Sequence, residues 1–240
     1  MSTKIEWTDE VWNPTTGCTK VSPGCHRCYA MTFAERFRGV PGHYFEGGFD
    51  LVLRPKMLDR PASWRRPRRI FVNSMSDLFH QGVTDGYIGQ VFDRMEAVER
   101  HTYQLLTKRP ERLRRFIRAR YGDGPVPQHI WLGVSVENAD YAWRVDQLRS
   151  INVPVRFISA EPLLGPLDNV DFSGISWIIV GGESGNGHRA MNGTWVQAIR
   201  DRCVNSNIPF FFKQWHKKDT GRELDGQTWG ELPVLKAVVI

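Results

Sequence analysis

Short apolar runs recur along this chain, and each breaks off into polar residues able to do chemistry. Ile70-Phe71-Val72 leads to Asn73-Ser74-Met75-Ser76-Asp77, and Tyr103-Gln104-Leu105-Leu106 leads to Thr107-Lys108-Arg109. Ile130-Trp131-Leu132-Gly133-Val134 leads to Ser135-Val136-Glu137-Asn138, and Phe157-Ile158 leads to Ser159-Ala160-Glu161-Pro162. Ile178-Ile179-Val180 leads to Gly181-Gly182-Glu183-Ser184-Gly185, and Phe210-Phe211-Phe212 leads to Lys213-Gln214-Trp215-His216. Unbroken apolar runs of this length are the pattern of parallel strands buried on both faces.

The spacing between these runs predicts helices. Ile88, Val91, Phe92, Met95 and Val98 share a face after an Asp85-Gly86 turn, and Leu113, Phe116 and Ile117 form a stripe on an arginine-rich helix opening near Pro110. Two more fall at about 139–150 and 194–206, the second with Thr194 as N-cap. Cys203 shares a face with Val196 and Ile199 there, so it reads as a core thiol, with a fourth metal ligand as the alternative. Further strands are expected within Ile5–Trp12 and at Phe49–Leu53. Strands alternating with helices in this number favour an α/β fold, a full or partial (β/α) TIM-like barrel with parallel strands, over an open doubly wound sheet. The barrel, with its N-terminal cysteine loop, is expected over residues 1–218, and 219–240 as a C-terminal extension, an extended tail with no assignable role.

In such barrels reactive groups gather at the C-terminal strand ends, where all six polar clusters fall. Asp77, Glu137, Glu161 and Glu183 would ring the mouth with carboxylates, with Lys108, Arg109, Lys213 and His216 supplying opposite charge. The expected catalytic set is Asp77, Lys108, Glu137, Glu161 and Lys213. The turn Gly181-Gly182-Glu183-Ser184-Gly185 lets backbone amides approach a ligand, with Glu183 suited to an ammonium group. Each has a plainer reading when taken singly: Asp77 as a helix cap, Glu161-Pro162 as the close of a strand, Lys213 as a surface charge, the glycines as an ordinary loop. Six such ends together favour a site.

Three of the four cysteines lie in one segment, Gly17-Cys18-Thr19-Lys20-Val21-Ser22-Pro23-Gly24-Cys25-His26-Arg27-Cys28-Tyr29. Its glycines and proline let the backbone turn tightly and bring Cys18, Cys25 and Cys28 towards one point. Three thiolates suit zinc with a fourth ligand, or a four-iron cluster with one iron left open; the alternative is three unrelated buried thiols. Lys20, His26, Arg27 and Arg38 read as loop charges beside the cysteines.

Composition narrows the class. With 240 residues and 41% hydrophobic content the chain can bury a large core, and it contains no apolar run long enough for a membrane helix and no signal-peptide core at its start. Clustered cysteines without a disulfide framework point to the cytoplasm. A net charge of +6 is concentrated in two runs, Arg54 to Arg69 and Lys108 to Arg120, with a smaller group at Lys213, Lys217 and Lys218, which makes DNA or RNA a candidate partner. No Walker sequence, serine nucleophile elbow or His-Glu-x-x-His helix is present.

Trp7-Thr8-Asp9, Trp12-Asn13-Pro14, Thr16 to Cys25 with Cys28-Tyr29-Ala30, Ser74 to His80, Leu106 to Pro110, Gly133 to Asn138, Glu161 to Leu164, Gly181 to Ser184 and Phe212 to Trp215 together resemble the three-cysteine-motif proteins of phages and bacteria (the phage Gp37/Gp68-like group), a family of unknown function. That family in turn resembles a distant branch of the radical S-adenosylmethionine superfamily, nearest to the spore photoproduct lyase type. The resemblance implies a four-iron, four-sulfur cluster on Cys18, Cys25 and Cys28, with S-adenosylmethionine on the open iron. One electron, from a donor partner, would cleave its sulfonium to a 5′-deoxyadenosyl radical that takes hydrogen from substrate. Ser74, Ser76 and Asp77 would then lie near the methionine part, and Lys108 or Arg109 would pair its carboxylate. Gly181, Gly182, Glu183 and Ser184 would correspond to the superfamily's Gly-Gly-Glu turn. Three functions follow as candidates. The first is a radical enzyme acting on a nucleic acid or nucleotide. The second is a nucleic-acid-binding protein with structural zinc on the triad plus His26 or His43, with Trp64, Tyr121, Trp143 and Trp215 as stacking surfaces. The third is a hydrolase or lyase using the mouth carboxylates.

Overall fold

The computed structural model describes residues 3, 5–184, 187–216 and 221–234. After β1 (Glu10–Trp12), a short β2 (Thr15–Thr16) precedes α1 (Tyr29–Glu35) and pairs antiparallel with β3 (Val52–Leu53), outside the main sheet. A one-turn α2 (Arg60–Ser63) leads into β4 (Arg69–Val72), and from there strand and helix alternate. They run α3 (Asp85–Ala97), β5 (Thr102–Thr107), α4 (Pro110–Tyr121), β6 (Ile130–Ser135), α5 (Trp143–Arg149), β7 (Arg156–Ala160), β8 (Trp177–Gly181), α6 (Gly193–Asn205) and β9 (Phe210–Gln214). β1 and β4 to β9 form one seven-stranded sheet in chain order, every pair parallel.

The two faces of this sheet decide its class. Ile70, Val72, Tyr103, Leu105, Leu132, Val134, Ile158, Ile178, Val180, Phe210 and Phe212 pack with Ile88, Val91 and Phe92 of α3, Leu113 and Phe116 of α4, Leu148 of α5 and Val196, Ile199 and Cys203 of α6 in one core. The alternate positions Phe71, Trp131, Phe157, Trp177, Ile179 and Phe211 join Trp7 in a second, aromatic cluster on the other side. Helices on one face and a side-chain plug on the other is the build of a barrel wall; a doubly wound sheet carries helices on both. Trp177 sits at the plug's centre, its ring 5.7–6.2 Å from those of Trp7, Trp131, Phe157 and Phe211. The barrel is partial: no pairing joins β1 to β9 among the described residues.

Past β9, β10 (Glu223–Leu224) and β11 (Gln227–Thr228) form a hairpin. Phe212 N–H donates to Trp229 O (3.1 Å), Glu231 N–H to Phe210 O (3.1 Å) and Trp177 Nε1–H to Glu231 O (2.9 Å). Leu224 is buried in the main core, and Arg222 pairs with Glu6 near the start of the chain. Residues 221–232, expected as an extended tail, thus cover the β9 edge, a standard protection against edge-to-edge pairing. Lys217, Lys218 and the last six residues lie outside the described residues, as does Gly185.

Three local expectations shift. Asn192, not Thr194, caps α6, its Oδ1 accepting from Thr194 N–H (3.0 Å). Asp85 and Gly86 lie within the first turn of α3, behind a Thr84 cap, and are not a turn before it. Of Phe49–Leu53 only Val52–Leu53 is strand, because Phe49 turns into a cluster with Ala30, Ala34 and Phe45. Cys203 is a core thiol, fully buried, and burial pushes it up to about 12.

Candidate functional site

The cysteine loop lies across the C-terminal ends of the parallel strands and is tied to four of them. At β4 it starts with Gly17, whose N–H donates to Met75 O (3.0 Å) and whose φ of +83° and contact with Asp50 O leave no place for a Cβ. At β5, Arg109 Nη2 donates to Thr19 O (3.1 Å) and Thr19 Oγ1 (2.9 Å). His80 Nδ1 accepts from Gly82 N–H (3.0 Å), which leaves Nε2–H to donate to the same Thr19 hydroxyl (2.9 Å). At β6, Ser22 Oγ donates to Glu137 Oε1, and Gly24 lies so close that a Cβ would stand 2.5 Å from Glu137 Cγ. At β8, Arg189 pairs with Glu183 and donates from Nη2 to Pro23 O (2.9 Å), and Arg27 Nη1 stands 3.9 Å from Glu183.

Three of the four expected carboxylates are therefore engaged in holding this loop. Buried Asp77 accepts from Thr107 Oγ1 (2.8 and 2.9 Å), Lys108 N–H (3.1 Å) and Phe79 N–H (3.0 Å), and stands 4.0 Å from Arg109 Nε. Glu137 is fully buried and paired with Arg144 Nη1 at 2.8 Å; Arg144 also donates to Ser135 O (2.8 Å) and is itself 1% exposed. Burial alone would raise Glu183, but hydrogen bonds and charge from Arg189, with Arg27 beyond, hold its carboxyl below the usual range. Arg144 and Arg189 are the functional residues that pattern reading passed over. Arg144 stands four residues before Leu148, on the apolar stripe of its helix, and that placement was the available signal.

Glu161 is different. It and Lys213 continue the inner face of β7 and β9 above the aromatic plug, joined by a 2.8 Å ion pair with Gly181 between them. Glu161 Oε1 is buried and has no hydrogen-bond partner, and lower on the same face neither do Ser159 Oγ and Gln104 Oε1. The unmet Glu161 oxygen, at the mouth, is a place for a donor-bearing ligand, whereas Gln104 stands level with Trp131 within the plug. Lys108 makes no ion pair among the described residues. Ser74 Oγ donates to Asn13 Oδ1 (3.2 Å) and Ser76 Oγ to Thr15 O (2.8 Å), so both hydroxyls brace the loop that carries Asp77. A Cβ on Gly182 would strike Trp215 O, and Ser184 is exposed.

The thiols of Cys18 and Cys28 pack beside Ala30, Ala34, Phe45 and Phe49. Burial pushes the Cys18 thiol up to about 11, Asp77 and Cys25 add to this, and Arg109 opposes it. Among the described residues no three His, Cys, Asp or Glu side chains converge as ligands of one ion, and His43 is stacked on Phe37 at 3.8 Å. A single zinc would need its sulfurs about 3.8 Å apart. A four-iron cluster takes one thiolate on each of three irons, and a loop with three thiols, an apolar wall and a neighbouring guanidinium fits that donor set. Of the expected stacking aromatics only Trp143 is well exposed; Trp64 is buried, and Tyr121 and Trp215 are partly buried.

The fold and this site define a class, the partial parallel (β/α) barrel whose C-terminal mouth is closed by a three-thiol loop. Within it, the chain belongs to the family described as "Protein of unknown function (DUF5131)", which matches residues 2–233. No curated protein matches the chain. Two solved structures resemble it at 11% identity and a TM-score of 0.47. One is spore photoproduct lyase complexed with dinucleoside spore photoproduct, covering 78% of this chain and 58% of that one. The other is a variant of that lyase with bound AdoMet and the same dinucleoside, covering 80% and 60%. The chain thus spans about three fifths of the length of these structures. No helix among the described residues is long and apolar enough to cross a membrane.

Proposed function

We propose that this chain, one of the three-cysteine-motif proteins of phages and bacteria, is a radical S-adenosylmethionine-type enzyme acting in the cytoplasm on a nucleic acid or nucleotide. The observation that carries the reading is the loop of Cys18, Cys25 and Cys28, strapped over the mouth of a partial barrel while the fourth cysteine is sealed in the helix core. Three thiols and no fourth leave one iron of a [4Fe–4S] cluster free for a small ligand. When bound, the cluster and S-adenosylmethionine supply the one-electron chemistry. The chain's own groups supply position: Lys108 for a carboxylate, the Glu161 Oε1 acceptor and Lys213 for the ligand or substrate held in the barrel, and the aromatic plug to keep water out from below. An electron donor is a required partner.

The test is anaerobic purification with iron, sulfide and zinc analysis, alongside Cys18→Ala, Cys25→Ala and Cys28→Ala. The expected result is about four irons and four sulfides per chain, lost in each variant, and reductive cleavage of S-adenosylmethionine. About one zinc and no iron would reject the reading in favour of a structural metal.

A further inference from the structure

Among the described residues eight large hydrophobic side chains stand well exposed, and five of them, Val21, Tyr29, Phe33, Val40 and Tyr44, fall in the cysteine loop and the segment just after it. On α1, Ala30 and Ala34 are buried while Phe33, one turn from Tyr29, faces out. The rings brace one another: Phe33 lies 5.3 Å from Phe37 and 5.7 Å from Phe45, and Tyr44 lies 5.0 Å from Phe45, under the Arg54 guanidinium at 4.0 Å. A held ring loses little freedom when something stacks on it.

Charge selects the occupant. Residues 20–54 carry five cations (Lys20, Arg27, Arg36, Arg38 and Arg54) against three carboxylates. Two of those, Glu35 and Asp50, are taken by Arg38, whereas among the described residues Lys20, Arg36 and Arg54 have no carboxylate partner, Arg54 being held by Thr16 Oγ1 (3.1 Å) and Tyr44 O. Braced aromatic faces interleaved with cations that no carboxylate neutralises match stacked bases and phosphates. A duplex hides its base faces, so the matching ligand has unpaired bases.

We infer that the aromatic strip running from Tyr29 and Phe33 to Tyr44, with Arg36 and Arg54, binds single-stranded or locally opened nucleic acid and leads it to the cysteine loop. The inference deepens the function proposed above; it needs the nucleic-acid substrate of that reading but not its cluster.

The experiment is fluorescence anisotropy of a labelled short oligothymidylate with the full chain, purified anaerobically, against a duplex of equal length. The chain is expected to prefer the single strand. Phe33→Ala and Tyr44→Ala should each weaken binding about tenfold. Phe33→Leu, which keeps the apolar contact with Phe37 and Phe45, should weaken it similarly, and Arg36→Gln should lower the salt slope by about 0.7. Unchanged affinity in Phe33→Leu and Tyr44→Ala overturns the inference. So does a preference for duplex that Arg114→Gln and Arg118→Gln abolish, which would move binding to α4. A Phe33→Ala change from dimer to monomer in sedimentation, with oligonucleotide binding intact, overturns it in favour of a second copy of the chain. Iron analysis of the same preparations separates the claims: strip-dependent binding by iron-free protein keeps this inference and removes the radical enzyme, and the reverse result does the opposite.

Discussion

Replacing Arg144 by Met should unfold the mouth of the barrel before it affects any chemistry. Arg144 and Glu137 are 1% and 0% exposed, and the guanidinium is held by Glu137, by Ser135 O and over the Tyr141 ring at 4.3 Å. Removing the cation leaves Glu137 buried with the Ser22 hydroxyl as its only side-chain donor among the described residues, and breaking one half of such a pair costs roughly 3–5 kcal/mol. In a chain of this size each kcal/mol moves the melting temperature about 2–4 °C, so the loss is roughly 6–20 °C. Replacing both partners, Arg144→Met with Glu137→Leu, removes the stranded charge and should recover part of that loss, leaving the cavity and the lost Ser22 contact. Differential scanning calorimetry reads the stability, and limited proteolysis within residues 18–28 reads the release of the cysteine loop. A single variant within about 1 kcal/mol of the parent would show the pair to be wet, and the anchoring of the loop through Glu137 would fall with it.

Gly182→Ala places a methyl against Trp215 O and should cost roughly 1–3 kcal/mol or more, whereas Gly181→Ala meets only side-chain atoms of Glu161 and Lys213 at 3.4–3.6 Å and should be nearly neutral in urea unfolding. Leu224→Ala should cost about 2–4 kcal/mol, as for a core leucine, where a loose tail would give nothing measurable. His101 is lowered by burial, with its Nδ1 unpartnered, and His80 by burial and then by Arg109. Both are held neutral in the fold, so their contribution is complete above the unfolded value of 6.5 and is lost as pH falls through the depressed folded values. Urea midpoints should therefore drop as pH falls below about 6.5, and His101→Gln should flatten that drop.

The strands were legible because their signal is local: both faces are buried, so the apolar runs read without any partner in view. The same holds for α3, where Ile88, Val91, Phe92 and Met95 keep one face in the core. What was not legible is pairing across the fold. Nothing in the run from Lys108 to Arg120 separates Arg112, half-buried and bound to His80 O, Val83 O and Asp85, or Arg120, bound to Asp93 and Glu96, from Arg114, Arg115 and Arg118, which are solvated. The basic runs are thus partly scaffold, and the cationic surface beside the cysteines is set by which carboxylates Arg38 has already taken. The edge cover of residues 223–231 was hidden for the same reason, being a matter of what lies beside β9.

This bears on how a ring of acids is read. A carboxylate at a strand end either reacts or holds, and the difference lies in what else reaches its oxygens. Asp77 meets donors from Thr107, Lys108 and Phe79, Glu137 meets Arg144 and Ser22, and Glu183 meets Arg189. Ser22 lies in the cysteine loop, Arg189 donates to Pro23 O within it, Arg144 donates to Ser135 O of β6, and Arg109 beside Asp77 donates to Thr19 O, so these acids hold the loop against the strand ends. Glu161 keeps one oxygen unmet above the aromatic plug, and its one ion-pair partner among the described residues, Lys213, is a flexible ammonium that a ligand can displace. The functional asymmetry of the mouth is therefore an asymmetry of satisfied hydrogen bonds: three acids closed by arginine or by buried amide and hydroxyl donors hold the loop, and one acid, left open towards the barrel interior, faces whatever the loop encloses.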